Sequence, residues 1–481
     1  MNTMKNNRRD FIKISGIAGL GIAGGIIKGY ASDRINPDDT DLNQDIQDHE
    51  KKYKQHFNMS GFTAPKISNV RIGIIGLGQR GPAHVKTMSR IDGVEIKALC
   101  DLRPKKVIEA KKLLENTDHD PELYSGTKEE WKKLCQRNDL DLIIVATPWY
   151  MHAEMAIYAM EQGKHVASEV PAAATIDEAW KLVETAERTR KHCMMLENYA
   201  YMPFQLLTLN MARHGFFGAL VHGDCAYNTS KMGNNFNKNK YWDMWWLRQY
   251  GTRKGNIYPT HGLGPVAQMM DINRGDKFEF LVSVESKDFM MQAKAKELAV
   301  TDTFFDEFAA MDYRGNMSTT IIKTTQGRTI VLQHDATSPS PHNLIHGIYG
   351  TKGAALYDPQ PPRISTGNNK WASVEEFEII KEKYTPEIFH KLNELSKNSG
   401  HGGSDLKIDW HLIDCLHNGL PLDQDVYDAA AWSSILPLTN WSVRNNSNSI
   451  KIPDFTAGSW KTNKRNMDIN LERGGNTKIK F

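Results

Sequence analysis

The sequence predicts an α/β protein: an N-terminal domain on a parallel sheet, followed by a larger α+β domain on an open, mostly antiparallel sheet. Three observations predict it. Short β-branched runs at 70–75, 94–100 and 140–146 alternate with helical patterns such as 104–115, and that alternation builds βαβ units. Beyond about Asn198, aromatics and glycines increase and strand-like runs follow one another at 280–285, 319–324 and 329–334, the texture of an antiparallel sheet. The chain has 481 residues, 40% apolar and 24% charged. That is enough for roughly two or three domains with a sizeable core, and it excludes a disordered, collagenous or coiled-coil protein.

Residues 1–31 form the first element. Asn6-Asn7-Arg8-Arg9-Asp10-Phe11-Ile12-Lys13 precedes an uncharged, Gly-rich stretch at 14–27. The stretch is too short to span a bilayer but has signal-peptide length, and the arginine pair looks like a twin-arginine export signal. Gly29 and Ala31 suit a cut after Ala31. The competing reading is a buried Gly-rich segment with chance arginines. A periplasmic or secreted protein without a stable membrane anchor is expected. The five cysteines form no CxxC pair, so neither a metal centre nor a disulfide framework is expected; twin-arginine export carries proteins already folded in a reducing compartment. The leader holds five basic residues against Asp10, leaving the remainder at −1 of the total +3. The basic pI therefore gives no support for a nucleic-acid partner.

Residues 32–68 are polar and charged and read as a flexible spacer. A nucleotide-binding domain is expected at 69–198, with further strands at 165–168 and 194–196. A substrate domain is expected at 199–445, with a helix at 406–417, and a C-terminal extension at 446–481.

The first strand runs into Gly76-Leu77-Gly78-Gln79-Arg80-Gly81, a GxGxxG fingerprint. Gly76 permits the tight turn, Gly78 the approach of a pyrophosphate, and Gly81 close helix packing, with Pro82 suited to a helix start. Asp101 follows at the end of the next strand, placed for ribose hydroxyls, and its charge favours NAD over NADP. This is a Rossmann pattern. The loop Ala146-Thr147-Pro148-Trp149-Tyr150-Met151-His152 lies beyond a strand C-terminus, where ligands bind in open parallel sheets. Two roles stay open for Trp149, lining the cofactor or packing the core, and two for His152, binding or capping the next helix.

The fingerprint, Asp101, Thr147-Pro148 and Ser168-Glu169-Val170-Pro171 together resemble the Gfo/Idh/MocA oxidoreductases, whose usual signature at the last position is Glu-Lys-Pro. Val170 can neither donate nor accept a proton, which argues against a plain sugar-alcohol dehydrogenase. Met194-Met195-Leu196-Glu197-Asn198, Gly255 to Val266 with Tyr258-Pro259-Thr260-His261 at its centre, Ile272-Asn273-Arg274-Gly275-Asp276, Gly400-His401-Gly402-Gly403-Ser404-Asp405 and Asn418-Gly419-Leu420-Pro421-Leu422-Asp423 resemble the family 109 glycoside hydrolases, NAD-dependent α-N-acetylgalactosaminidases often exported by twin-arginine signals. The resemblance runs from about residue 70 to 445.

That resemblance implies a cofactor, NAD, and a reaction unlike that of two-carboxylate glycosidases. A hydride leaves sugar C3, the ketone acidifies C2, the C1 substituent is eliminated, water adds, and the hydride returns. By resemblance Gln79, Arg80, Asp101, Trp149, Tyr150, Met151, His152, Glu169, Val170 and Asn198 contact NAD. Tyr227, Arg248, Tyr258, Pro259, Thr260 and His261 contact a sugar. His261 is the expected proton shuttle, with the titration range for it, and Tyr258 a second catalytic group. Glu169 is either the C2 base or an orienting partner. His401 is either functional or a loop residue, and the aromatic run Tyr241 to Trp246 either stacks on sugar or packs. Where the family has Pro-Arg-Pro-Tyr, this chain has Pro339-Ser340-Pro341-His342, placing His342 against substrate and leaving the sugar and anomer open. The alternatives are a sugar oxidoreductase with bound NAD(P), a related glycosidase of other sugar specificity, and a nucleotide-dependent sugar sensor. A carbohydrate substrate and a homodimer paired through the open sheet are expected.

Overall fold

The structure, a computed structural model, describes residues 42–464 other than 368 and 398, and residues 474–480. The leader expected at 1–31 and residues 32–41 of the expected spacer lie outside the described residues.

The first sheet is parallel and six-stranded. Its strands are β1 (Val70–Ile75), β2 (Val94–Cys100), β3 (Glu122–Tyr124), β4 (Leu142–Val145), β5 (His165–Ser168) and β6 (Cys193–Met195), in the order β3-β2-β1-β4-β5-β6. Strand β4 reads Leu-Ile-Ile-Val and is buried throughout, as expected where both faces are covered by helices. The order reverses between β1 and β4, so a crevice opens beyond their C-terminal ends. The helix Ile176–Thr189 starts at a capping box, with Thr175 and Glu178 each accepting from the other's backbone N–H.

The second sheet has eight strands: β7 (Leu220–Asn228), β8 (Phe278–Glu285), β9 (Met317–Thr324), β10 (Thr329–Asp335), β11 (His346–Gly350), β12 (Ala354–Leu356), β13 (Arg363–Ser365) and β14 (Ile450–Lys451). Their order is β13-β12-β11-β7-β10-β9-β8-β14. The β7–β10 pair is parallel and the other pairs are antiparallel. One face is covered by helices; the other leaves Phe280, Val284 and Ile321 exposed. The helix Val426–Arg444 packs against β6 and β8 and joins the two sheets.

Three segments depart from the sequence expectation. Residues 42–68 are not a free spacer: the helix Leu42–Lys52 buries Ile46, His49 stacks on Trp180 at 4.5 Å, and Tyr53 donates to buried Glu187 at 2.6 Å. The stretch is poor in apolar residues, but those it has are spaced to dock. The helix Ser404–Asn418 lies within the range expected for the substrate domain, yet Leu406, Ile408, Trp410 and Leu412 share a core with Val70, Ile72 and Ile74 of β1. Residues expected as a terminal extension are built into the fold: β14 pairs with β8 in the second sheet, and Ile479 makes an isolated bridge to Ile91 beside the first.

Candidate active site

The glycine turn follows β1. Gly76 has φ +92°, and Leu77 N–H donates to Asp101 Oδ2 at 2.8 Å. A Cβ on Gly81 would lie 1.9 Å from the Gly76 carbonyl oxygen, so only glycine lets the helix Gly81–Met88 start this close to the strand. At Gly78 an added Cβ would meet only the far end of Arg103, at 3.5 Å, so this stretch of backbone faces open space. The turn therefore fits a dinucleotide: its backbone and the helix N-terminus would hold the pyrophosphate, and Asp101 the ribose. Arg103 braces the Asp101 carboxylate, with Nε 3.0 Å from Oδ1.

Beside the turn lies a buried network of charges. Arg80 donates from Nε to Glu169 at 2.6 Å and from both terminal nitrogens to Asp405 at 3.0 Å. His84 is fully buried between Asp409 and Glu169, 3.0 Å from each. Burial disfavours its cation, but the carboxylates on both sides outweigh burial and raise its pKa to about 10. Burial would likewise raise the Glu169 and Asp405 carboxyls. Arg80 and His84 around Glu169, and His401 and Arg80 around Asp405, hold both well below the usual carboxylate range. Asn198 donates to Asp405 at 2.6 Å, and His401 Nδ1 lies 3.0 Å from the same carboxylate.

An aromatic cluster faces this network. Strand β7 presents Tyr227 near its end, and the helix Thr260–Met269 presents His261 in its first turn. An added Cβ on Gly264 would meet Glu197 at 2.9 Å and Trp432 at 3.0 Å, so that glycine seats the helix against the turn following β6. His261 Nδ1 lies 2.7 Å from the fully buried Glu197 carboxylate. Tyr199 stands 4.1 Å from the His261 ring and 5.8 Å from His401. Tyr227 contacts His261 at 5.1 Å, Tyr258 at 5.2 Å and His342 at 5.8 Å, while Tyr258 stacks on Trp149 at 5.6 Å. Burial pushes the Tyr199, Tyr227 and Tyr258 phenols up, so they stay protonated as donors.

The structure thus brings together Arg80, Asn198, Glu169, Tyr227, Tyr258, His261 and His342. Val170 is buried beside Glu169, and its N–H donates to that carboxylate at 3.3 Å. His152 is buried with one ring nitrogen 2.8 Å from the Pro171 carbonyl and the other 2.7 Å from that of Thr147, so it braces the loop. That loop buries Trp149 and leaves Tyr150 and Met151 half-buried. Pro259 precedes the His261 helix, and Thr260 is fully buried with no partner for its hydroxyl among the described residues. Gln79 is exposed and donates to the Lys240 carbonyl at 2.9 Å. Arg248 is not drawn to the cluster: its guanidinium pairs with Asp243 and Glu307 and lies over Phe308.

Sequence reasoning did not single out Glu197, Asp405, His84 or Asp409. Glu197 and Asp405 stand inside motifs quoted for other residues, and an acid between an apolar strand and an aromatic turn, Leu196-Glu197-Asn198-Tyr199, was the available signal. His84 and Asp409 meet only through folding, 325 positions apart.

A family model described as the oxidoreductase family with an NAD-binding Rossmann fold matches residues 70–197, and one described as the C-terminal domain of glycosyl hydrolase 109 matches residues 201–462. A glycosyl hydrolase family 109 protein of Shewanella pealeana is 41% identical over 471 residues, covering 96% of this chain and 98% of its own. An alpha-N-acetylgalactosaminidase of Shewanella oneidensis is 38% identical over 465 residues, covering 95% and 97%. An oxidoreductase domain protein from Kribbella flavida shares the fold, with a TM-score of 0.62 at 17% identity over 80% of this chain and all of that one. With the glycine turn joined to a site of paired histidines and carboxylates, these matches show that the chain is an enzyme of glycosyl hydrolase family 109, carrying an NAD-binding Rossmann domain of the Gfo/Idh/MocA kind.

Proposed function

We propose that this enzyme cleaves a terminal glycoside, α-linked N-acetylgalactosamine or a close relative, through transient oxidation at C3. The observation that carries the proposal is a pair of histidine–carboxylate dyads, His261–Glu197 and His401–Asp405, on either side of Tyr199. A plain dehydrogenase moves one proton with its hydride and needs one such group. Oxidation, elimination and water addition move protons at the C3 hydroxyl, at C2 and at the leaving oxygen, and need more than one carrier.

NAD, when bound, supplies hydride acceptance and return within one turnover. His261, oriented through Nδ1, takes and returns the C3 hydroxyl proton at Nε2. His401, on its Gly-rich loop and partly exposed, serves C2 and the leaving oxygen. Glu169, ion-paired and strongly acidic, is a poor base; it orients Arg80 and His84. Tyr227 and Tyr258 donate to sugar oxygens, and Trp149 and Trp246 close the wall behind them. His342 reads the sugar where the family has a tyrosine. The name of the Shewanella oneidensis relative supports the choice of sugar. Export on the 1–31 leader fits an enzyme that regenerates its cofactor at every turnover. Pairing of the open sheet faces, with Phe280, Val284 and Ile321 at their centre, would form the homodimer.

The test is a panel of nitrophenyl glycosides incubated with the protein as purified, in deuterated water. Release of nitrophenol without added NAD, with deuterium at product C2, is expected. Cleavage without C2 deuterium, or accumulation of keto-sugar without cleavage, overturns the proposal.

A further inference from the structure

We propose that residues 238–245 of the second domain form a latch across the dinucleotide groove and set how slowly bound NAD leaves. The inference rests on the functional reading above, because an enzyme that returns its hydride each turnover gains from a cofactor that stays.

The segment touches both walls of the groove. Gln79, within the glycine turn, donates from Nε2 to the Lys240 carbonyl at 2.9 Å. Arg103, which braces the ribose-binding Asp101, lies with its Cζ 5.5 Å from the Trp242 ring centroid, a cation–π separation. Arg103 is also the side chain nearest an added Cβ at Gly78. One residue therefore connects the pyrophosphate turn, the ribose acid and the crossing segment. A cavity of about 330 Å³ lies along the segment, lined by Arg103, Lys238, Tyr241, Trp242, Asp243 and Phe304.

The segment is anchored on both sides of the exposed Trp242. Lys238 pairs with Asp302 and lies 4.3 Å from the Phe304 ring. At the other end Met244 is buried, Tyr241 stacks on Trp246 at 5.5 Å, and Trp245 meets Trp149 at 5.2 Å. Between them Trp242 is 48% exposed. Asp243 and Met244, neither a glycine, have φ of 49° and 46°, a left-handed backbone that L-residues adopt only when surrounding contacts enforce it. Opening breaks the contacts that Gln79 and Trp242 make with the groove, together with the stacking of Tyr241 on Trp246 and the bonds of Arg248 to Asp243, and relaxes a strained pair at the hinge.

The experiment uses the full chain as purified. Bound dinucleotide is counted after acid release, and its exchange with isotopically labelled NAD⁺ is timed by rapid desalting. Trp242→Ala removes the contact with Arg103, and Lys238→Ala frees the outer anchor. Exchange at least about tenfold faster in both variants, with near-stoichiometric binding at saturating NAD⁺, is expected. Exchange at the wild-type rate in both overturns the latch while leaving the functional reading intact. A wild-type protein that carries no dinucleotide and takes up none overturns the functional reading itself.

Discussion

His261 and Glu197 form a buried dyad: Nδ1 lies 2.7 Å from a carboxylate oxygen that also accepts the Tyr199 backbone N–H at 3.1 Å. Facing a carboxylate, Nδ1 carries the proton and Nε2 is left as the free base. The carboxylate fixes the tautomer and supports the imidazolium that forms when the ring accepts a proton.

Glu197→Gln keeps the shape and removes the charge. A kcat lower by roughly 10² to 10⁴ is expected by analogy with other carboxylate–histidine pairs, together with a displaced pH profile and an unchanged dinucleotide content. Steady-state kinetics across pH checks this; a kcat within threefold of wild type would refute the role.

The Arg80–Glu169–His84 network fixes a pH window for stability. Glu169 and Asp405 titrate below their ordinary values in the fold, so their contribution is present above the unfolded carboxylate range and is lost as acid protonates them. His84 titrates at about 10 against 6.5 when unfolded. Its contribution is complete below pH 6.5 and disappears as pH rises towards 10. Thermal stability should therefore peak between about pH 5 and 6.5. His84→Gln should cost roughly 3 kcal/mol or more near pH 6, the scale of a broken buried ion pair, and flatten the alkaline decline. Denaturant unfolding from pH 4 to 10 measures both; an undiminished alkaline decline in the variant contradicts the assignment.

His342 titrates low because of burial, then the charges of Lys231, His261 and His401. The Lys231 ammonium sits 5.6 Å from the Tyr227 ring centre and has no hydrogen-bond or ion-pair partner among the described residues. Lys231→Met should raise the His342 pKa, because it removes a neighbouring positive charge. An NMR titration, with His342→Gln to assign the signal, reads the change; a constant or lower value would show that Lys231 does not act on it.

Gly81→Ala would drive a methyl into the Gly76 carbonyl, which is backbone and cannot swing aside. The variant should melt several degrees lower and purify without dinucleotide. Gly233→Ala, where an added Cβ meets nothing within 4 Å, should do neither. Differential scanning fluorimetry and nucleotide release compare them; retention of dinucleotide by Gly81→Ala would sink the packing argument.

Much of the first sheet was legible because β1 and β4 are largely apolar, β-branched runs and β2 carries Val94, Ile96 and Leu99 inward, each ended by a turn, and such patterns announce strands. Strand β3 was not: Glu122-Leu123-Tyr124 is a three-residue edge strand, half polar. The glycine turn and Asp101 were readable because their spacing is local. His401 was visible only as a histidine among glycines, since its partner role depends on Asp405 four residues on and Arg80 far upstream. The docking of residues 42–68 was hidden because composition averages over a segment, whereas Ile46, Tyr53 and Met59 act as separate anchors. The placement of the helix Ser404–Asn418 on the first sheet follows from tertiary packing, about which periodicity says nothing.

That helix sets a timetable. Its apolar side completes the layer over β1, and Trp410 donates from its indole N–H to the Thr477 carbonyl, almost at the end of the chain. A nascent polypeptide that has emerged only through residue 200 has all six parallel strands and the glycine turn, but a bare flank where this cover belongs. The core of the nucleotide module therefore closes only once residues 404–418, roughly 200 positions beyond its last strand, have been made.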